Sequence, residues 1–420
     1  MDSNFSATPL GNIAQIEMGQ SPDSSTVREG DQGGTPFLQG NAEFGVAHPT
    51  PRFSCAAPMK MSRAGDVLIS VRAPVGAMNI ADRDYCIGRG LAAVRVAGMS
   101  PTLAAHMVSA ATPALRRVAQ GTTFEAINKT DLASLVVMAP PQADREALGF
   151  VLDTLDASIR ETEAIIEKLK QVKRGLLHDL LTRGIDADGE LRPPRSQAPH
   201  LYKDSPLGWI PRDWTVGRLG AMAEVVGGVT LGRSVTGVGT VELPYLRVAN
   251  VQDGYLDLGE IKTIRILASE LPRYRLEAGD VLMNEGGDFD KLGRGVIWSG
   301  QIATCLHQNH VFRVRCHGGL LDPRFLAAYS SSGFGKAYFV QASKQTTNLA
   351  SINSTQLKAF PLRLPSLAEQ HAIINGLAGL DHRIEAEAAV LTKYCLVKHG
   401  LMDDLLTGRV RVTPLLETTS

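Results

Sequence analysis

The sequence has no run of about 18 apolar residues, so nothing in it reads as a membrane-spanning helix. It opens MDSNFSATPLGN, with neither a basic start nor an apolar segment behind it. No secretory signal is read, and a cytoplasmic location is the expectation. Cysteine is scarce. Cys55, Cys86, Cys305, Cys316 and Cys395 are odd in number, scattered and without a CxxC pair, which argues against a disulfide or zinc framework and fits reduced thiols. The nearest thing to a metal cluster, Cys305-Leu-His307-Gln-Asn-His310, has the alternating spacing of a strand and no second half, so no metal site is expected. Net charge is also missing: Lys plus Arg and Asp plus Glu number 43 each, and composition alone gives no pull toward nucleic acid. There is no GxSxG elbow, HExxH helix or dinucleotide glycine fingerprint. The stretch Gly227 to Ser234 comes within one residue of a phosphate-cradling loop, but Arg233 stands where Lys is required and no strand-then-helix context surrounds it.

What is present is a chain of 420 residues, long enough for two or three domains, with the 44% hydrophobic and 20% charged content of a globular protein. The charge balance is uneven along it. Residues 200–363 carry 18 basic and 14 acidic side chains, whereas residues 1–140 carry 11 of each. Arginine outnumbers lysine 30 to 13, which favours planar, bidentate recognition over point charge.

The chain also repeats itself. Val172 to Thr182 reads VKRGLLHDLLT and Val397 to Thr407 reads VKHGLMDDLLT, a shift of 225 in numbering. Gly65-Asp-Val-Leu recurs at Gly279, Gly11-Asn-Ile-Ala-Gln-Ile matches Gly220-Ala-Met-Ala-Glu-Val, and Ala126-Ile-Asn128 matches Ser351-Ile-Asn353. Each copy begins with about 140 residues of short apolar runs between Gly- and Pro-rich turns, which read as short strands. Each then continues as one long helix. In the first, Leu148, Leu152, Leu155, Ile159, Thr162, Ile166, Leu169, Lys173, Leu176 and Leu180 step alternately by four and three, a heptad seam. The same shift gives Ile373, Leu377, Leu380, Ile384, Glu387, Leu391, Tyr394, Lys398, Leu401 and Leu405. Some 40 residues make a rod of roughly 60 Å. If the rods pair along their seams, chain order lets them do so only antiparallel, the alternative being two helices each packed on its own globule; the expected fold is α+β: two globular α/β domains joined by two long antiparallel coiled-coil helices, with a pseudo-two-fold internal repeat. The expected boundaries are a first globule at 1–141, its helix at 142–184, a linker at 185–218, a second globule at 219–364, its helix at 365–408 and a tail at 409–420. The other charged residues of the rods read as solvated surface. Gly175 and Gly400, kept inside both helices, suggest close approach of another backbone, either the sister helix or a docked partner.

The linker KDSPLGWIPRDWTVGRLG (Lys203 to Gly220), the start MGQSP (Met18 to Pro22), the segments PPQADREALGFVLDTLDASI and LPSLAEQHAIINGLAGLDHRI and the two Leu-Leu-Thr helix ends together resemble the specificity subunit of type I restriction-modification systems. The resemblance implies a non-catalytic subunit whose two target recognition domains each read one half of a bipartite sequence in double-stranded DNA. It implies that the paired helices set the spacer and dock two methyltransferase subunits, with motor nuclease subunits joining the complex. No cofactor is then expected on this chain, S-adenosylmethionine belonging to the methyltransferases. The Asn- or Asp-Pro-Pro-aromatic motif of adenine methyltransferases is absent here, Pro193-Pro194 lying in the linker instead.

Reading sequence requires side chains that address base edges: Arg for guanine, Asn or Gln for adenine. In the first copy the candidates are Gln20, Ser21, Arg72, Arg89, Gln120, Thr122 and Thr123. In the second they are Arg233, Ser234, Lys291, Arg294, Gln308, Asn309, Lys344, Gln345, Thr346 and Thr347. Three other readings stay open at this point: a specificity component whose partner fuses methylation and cleavage, an enzyme with two degenerate globules, and a coiled-coil scaffold.

Overall fold

A computed structural model describes residues 5–31, 33–119, 126–232, 235–287, 292–293, 295–345 and 350–405. The chain divides into two units, Met1–Ile165 together with Glu387–Ser420, and Ile166–Ala386. Among the described residues, no helix is long and apolar enough to cross a membrane.

In the first unit, strands β1 (Ser6–Pro9), β2 (Ala14–Met18), β3 (Val67–Ser70), β4 (Met78–Ile80) and β5 (Leu91–Val96) precede helix α1 (Pro101–Ala119) and strand β6 (Val136–Ala139). β2, β5, β3 and β4 form, in that order, an antiparallel sheet, and β1 pairs with β6. Alternate apolar residues of this sheet face α1 in a core that holds Val67, Ile69, Val94, Met107 and Val108. A five-stranded sheet built on Thr35–Leu38 and Tyr85–Ile87 closes the other side. Helix α2 (Arg145–Arg183) follows.

The second unit repeats this order as β7 (Thr215–Arg218), β8 (Ala223–Gly227), β9 (Val281–Asn284), β10 (Gly295–Ile297), β11 (Val311–Cys316), α3 (Pro323–Ser331), β12 (Pro361–Leu364) and α4 (Leu367–Leu405). Its sheet runs β8, β11, β9, β10, and β7 pairs with β12. The echoes in the sequence now have physical causes. Gly65 and Gly279 sit in turns at φ +86° and +96°, where glycine is favoured. The buried carboxylates after them each take a bidentate arginine from the neighbouring strand: Arg95 on Asp66 at 2.6 and 2.7 Å, Arg315 on Asp280 at 2.7 and 2.8 Å. Asn128 and Asn353 cap the short helices Lys129–Ala133 and Ser354–Lys358 by accepting backbone N–H groups.

The seam is present in each unit. In the first, Leu148 and Leu152 of α2 are buried against Leu103 of α1, with Leu401 and Met402 of α4 packed on them. In the second, Leu177, Leu180 and Leu181 of α2 share a core with Ile373 and Leu377 of α4. Thr162 and Ile166 are buried, and Leu155, Ile159, Leu169, Lys173, Leu176, Leu380, Ile384, Glu387, Leu391, Tyr394 and Lys398 are all half-buried. The side chain of Leu405 lies outside the described residues.

Two charges first read as solvated surface are instead part of this packing. Lys398 pairs with Asp156 in the first unit and Lys173 with Asp381 in the second. Asp381 is the repeat counterpart of Asp156, and Lys398 that of Lys173, so one ion pair is written twice in a single antiparallel register. They differ in surroundings. Asp156 also meets His106 Nε2 at 3.2 Å and is 16% exposed, against 45% for Asp381. Burial alone would raise the Asp156 carboxyl, but hydrogen bonds from His106 and Lys398 outweigh it and hold the group below the usual carboxylate range.

The segment 185–218 is folded rather than a loose connection. Trp214 is fully buried, its indole N–H donating to Glu369 at 3.0 Å, and Arg192 bridges Glu369 and Asp213. The expectation for the interior glycines changes as well. A Cβ added at Gly175 or Gly400 meets no atom within 4 Å, so the sister helix does not require them. Gly175→Ala and Gly400→Ala are each expected to raise the unfolding free energy of the isolated chain by about 0.5–1 kcal/mol, the helix-propensity difference. Urea titration checks it, and loss of stability would show that each glycine meets something inside the folded chain.

Candidate nucleic-acid interface

One edge of each unit gathers several candidate residues, because backbone hydrogen bonds knit separate loops there. In the first unit β2 ends at Met18, and the next residues cross to the turn before β5. Gly19 N–H donates to Leu91 O and Gln20 N–H to Ile87 O, both at 2.9 Å, while Arg89 N–H reaches Ser21 Oγ at 3.5 Å. A Cβ added at Gly19 would collide with Gly88 O, so this crossing requires glycine. Val71 N–H donates to Gly90 O and accepts, through its own carbonyl, the N–H of Ile127, each at 2.9 Å. Arg72 then bridges Ala126. Gln20, Ser21, Arg72 and Arg89 therefore share one exposed edge.

The second unit makes the same bonds with different side chains. Val229 N–H donates to His307 O at 2.7 Å, Asn309 N–H to Val229 O at 2.9 Å, Glu285 N–H to His310 O at 2.9 Å and Ile352 N–H to Glu285 O at 2.8 Å. Gly228 lies under the same constraint as Gly19, its Cβ position overlapping His307 O. The counterpart of Gly19-Gln20-Ser21 is accordingly Gly228-Val229-Thr230, four positions earlier than the Gly232-Arg233-Ser234 loop. Arg89 corresponds to Asn309, Gly90 to His310 and Arg72 to Gly286. Gln308 and Asn309 are half-buried on this edge.

The edge also carries a pair that sequence reasoning missed, His310 Nδ1 on the Glu285 carboxylate. The spacing of Cys305, His307 and His310 had drawn notice only as a poor metal pattern. These three side chains have separate commitments: Cys305 and His307 are buried, His307 Nδ1–H donates to Val311 O at 2.6 Å, and His310 faces Glu285. Gln120, Thr122, Thr123, Arg233, Ser234, Lys291, Arg294, Thr346 and Thr347 lie outside the described residues. Lys344 and Gln345 form a short strand on Ala350–Ser351, and their side chains are likewise outside the description.

A family model for the type I restriction modification DNA specificity domain matches the chain twice, over residues 3–171 and 211–393. The chain belongs to this family. MjaX, a putative type I restriction enzyme specificity subunit of Methanocaldococcus jannaschii, is 37% identical over 184 residues, covering 43% of each chain. The StySPI specificity subunit of Salmonella potsdam is 23% identical over 280 residues, 66% of this chain and 57% of the relative. The chain thus spans about half the length of the curated relatives it matches. A crystal structure of the type I restriction-modification S subunit from M. genitalium has the same fold, with a TM-score of 0.56 over 96% of both chains at 13% identity.

His307 supports this edge from beneath. Burial pushes its imidazole down to about 4 from an ordinary 6.5. A histidine whose folded pKa lies below its unfolded value stabilises the fold fully above pH 6.5 and less as pH falls toward 4, because only the unfolded chain takes the proton. The unfolding free energy of the chain should fall below pH 6.5 with a slope of up to about 1.4 kcal/mol per pH unit from this group. His307→Asn, which keeps a donor for Val311 O, should flatten that slope in urea titrations between pH 7 and 5. An unaltered slope would assign the acid sensitivity elsewhere.

Proposed function

We propose that the chain is the sequence-reading, non-catalytic subunit of a type I restriction-modification complex, each unit's loop edge reading one half of a bipartite site in double-stranded DNA. The observation that carries this reading is the duplicated edge: one backbone frame, built twice, presenting Arg72 and Arg89 in one copy and Gly286 and Asn309 in the other. Two readers on the same frame with different side chains are what two different half-sites require, since Arg suits guanine and Asn suits adenine. The helices carry the second part of the proposal. Each ion pair and seam segment recurs at the one constant shift, so α2 and α4 offer the same surface twice to two identical methyltransferase subunits, which bring S-adenosylmethionine and the adenine chemistry. Motor nuclease subunits complete the complex. Gly175 and Gly400, open on the helix surface, suit close approach by such a partner.

Reconstitution with the cognate methyltransferase subunit and mapping of methylated adenines should return a bipartite motif. Arg89→Ala should relax one half only, by about 1–3 kcal/mol at a single base. Absence of any sequence-selective methylation would sink the reading. The helix pair can be tested apart from the edges. Inserting one heptad between Ala164 and Ile165, and another between Ala389 and Val390, keeps the Asp156–Lys398 and Lys173–Asp381 pairs each within its own unit. It should lengthen the spacer by roughly 10 Å, about three base pairs, without altering either half-site. A spacer of unchanged length would separate the helices from spacing.

A further inference from the structure

Along one face of the β9–β11 pair, Val281 stands opposite Val314 and Met283 opposite Phe312, and all four side chains belong to the core. Side chains alternate between faces along a strand, so the next residues on this face are Glu285 and His310, one step beyond the rim of the core. Backbone bonds hold them there. Glu285 N–H donates to His310 O, and Glu285 O accepts from Ile352 N–H. Val311 N–H donates to Gln308 O, which puts Asn309 and His310 at the middle of a tight turn. Three polar side chains leave this frame in a connected row: Glu285 Oε2 lies 2.5 Å from His310 Nδ1, and His310 Nε2 lies 3.5 Å from Asn309 Nδ2.

The chemistry of these groups gives the row a direction. An ionised carboxylate only accepts, so the proton of the neutral ring sits on Nδ1 and Nε2 is left as an acceptor. Only the amide nitrogen of Asn309 satisfies that acceptor, which turns Nδ2 toward the ring and Oδ1 away from it. The amide then presents its oxygen and its remaining N–H, the acceptor and donor that match adenine N6 and N7. A half-turn of the amide would exchange the two and abolish the match. We propose that Glu285 and His310 are positioning residues that fix Asn309 as a reader of adenine in one half-site. The proposal rests on the DNA-reading function and specifies how one of its residues acquires selectivity. The first unit supports it by contrast. There Val71, Arg89 and Gly90 hold the places of Glu285, Asn309 and His310, within the same backbone bonds between Val71, Gly90 and Ile127. A guanidinium offers donors only, so no partner is needed to decide which of its atoms faces the base. An amide has to be set one way round, and the orienting pair stands in the copy that carries an amide at this position.

The test uses the full chain reconstituted with its cognate methyltransferase subunit, and measures methylation of duplexes carrying each of the four bases at every position of the mapped motif. Asn309→Ala should lower discrimination at a single position, and the base there should be adenine. Glu285→Leu removes the acceptor, and His310→Phe keeps a ring without its nitrogens. Both are expected to lower discrimination at that same position by about tenfold and to leave every other position as it was. The pair is exposed, 55% for His310 and 29% for Glu285, and adds little to folding, so both variants should keep the wild-type urea midpoint. Relaxation by Asn309→Ala alone would show that the amide needs no orienting pair, and an equal loss at all positions would make the pair structural; either result overturns the proposal. A base other than adenine at the relaxed position overturns it too. If Asn309→Ala relaxes nothing while Arg89→Ala relaxes one position, the proposal fails and the DNA-reading function stands. Absence of sequence-selective methylation by the unaltered chain would instead remove that function, and the proposal with it.

Discussion

The antiparallel seam is the constraint on which both units depend. Neither globule is complete with its own helix alone. The first unit takes the opening turns of α2 from the middle of the chain and the closing turns of α4 from its far end, and the second takes the complementary halves. Leu401 and Met402 pack on the buried Leu148 and Leu152, and Ile373 and Leu377 share a core with Leu177, Leu180 and Leu181. Each such side chain contributes about 1.5–3 kcal/mol on full burial, more than the half-exposed Lys173–Asp381 pair supplies. The apolar seam therefore provides stability, and the twice-written Asp–Lys pair provides register. A slip of one heptad would keep leucines in contact but leave both lysines without their carboxylates.

The segments that sequence reading singled out at the helix starts fasten rod to globule. Arg145 donates to Pro140 O at 3.2 Å and Ala97 O at 3.3 Å, while Gln370, at the same place in the second copy, donates to Pro365 O and Leu320 O at 3.1 Å. Different side chains tie the helix start to the proline before it and to the loop after the central strand. A helix so anchored transmits the position of its globule along its length, which is the mechanical property a spacer needs.

Much of this was legible because it is periodic. The heptad steps from Leu148 to Leu180 and the constant shift between copies located both helices closely, since burial of one stripe imposes a period that survives sequence drift. The alternating runs likewise located the central strands. What stayed hidden is pairwise. Asp156 and Asp381 look like any solvated carboxylate until the partner helix supplies a lysine from the other copy of the repeat. Trp214 and Glu369 belong to segments whose separate compositions give no hint that they meet. Which glycine answers Gly19 is not legible, because several glycines follow β8 and only a steric test distinguishes Gly228 from its neighbours. At the candidate edge, residue types were legible but their juxtaposition was not, for it depends on backbone bonds between loops far apart in sequence.

The two copies differ in a patterned way. Positions that hold the frame keep their chemistry: Asp66 and Asp280 with their arginines, Asn128 and Asn353 as caps, Gly19 and Gly228 at the crossing. Positions on the exposed edge do not, with Arg72 set against Gly286, Arg89 against Asn309 and Gly90 against His310. Different side chains at these edge positions, on a frame held by like residues, are what the proposed readers of two different half-sites would carry. The zero net charge fits the same division of labour. Non-specific affinity for DNA comes from phosphate neutralisation and scales with the number of basic contacts. On the proposed function, a chain with as many acidic as basic groups would contribute selectivity at a few positions and leave the bulk of the electrostatic attraction to partner subunits.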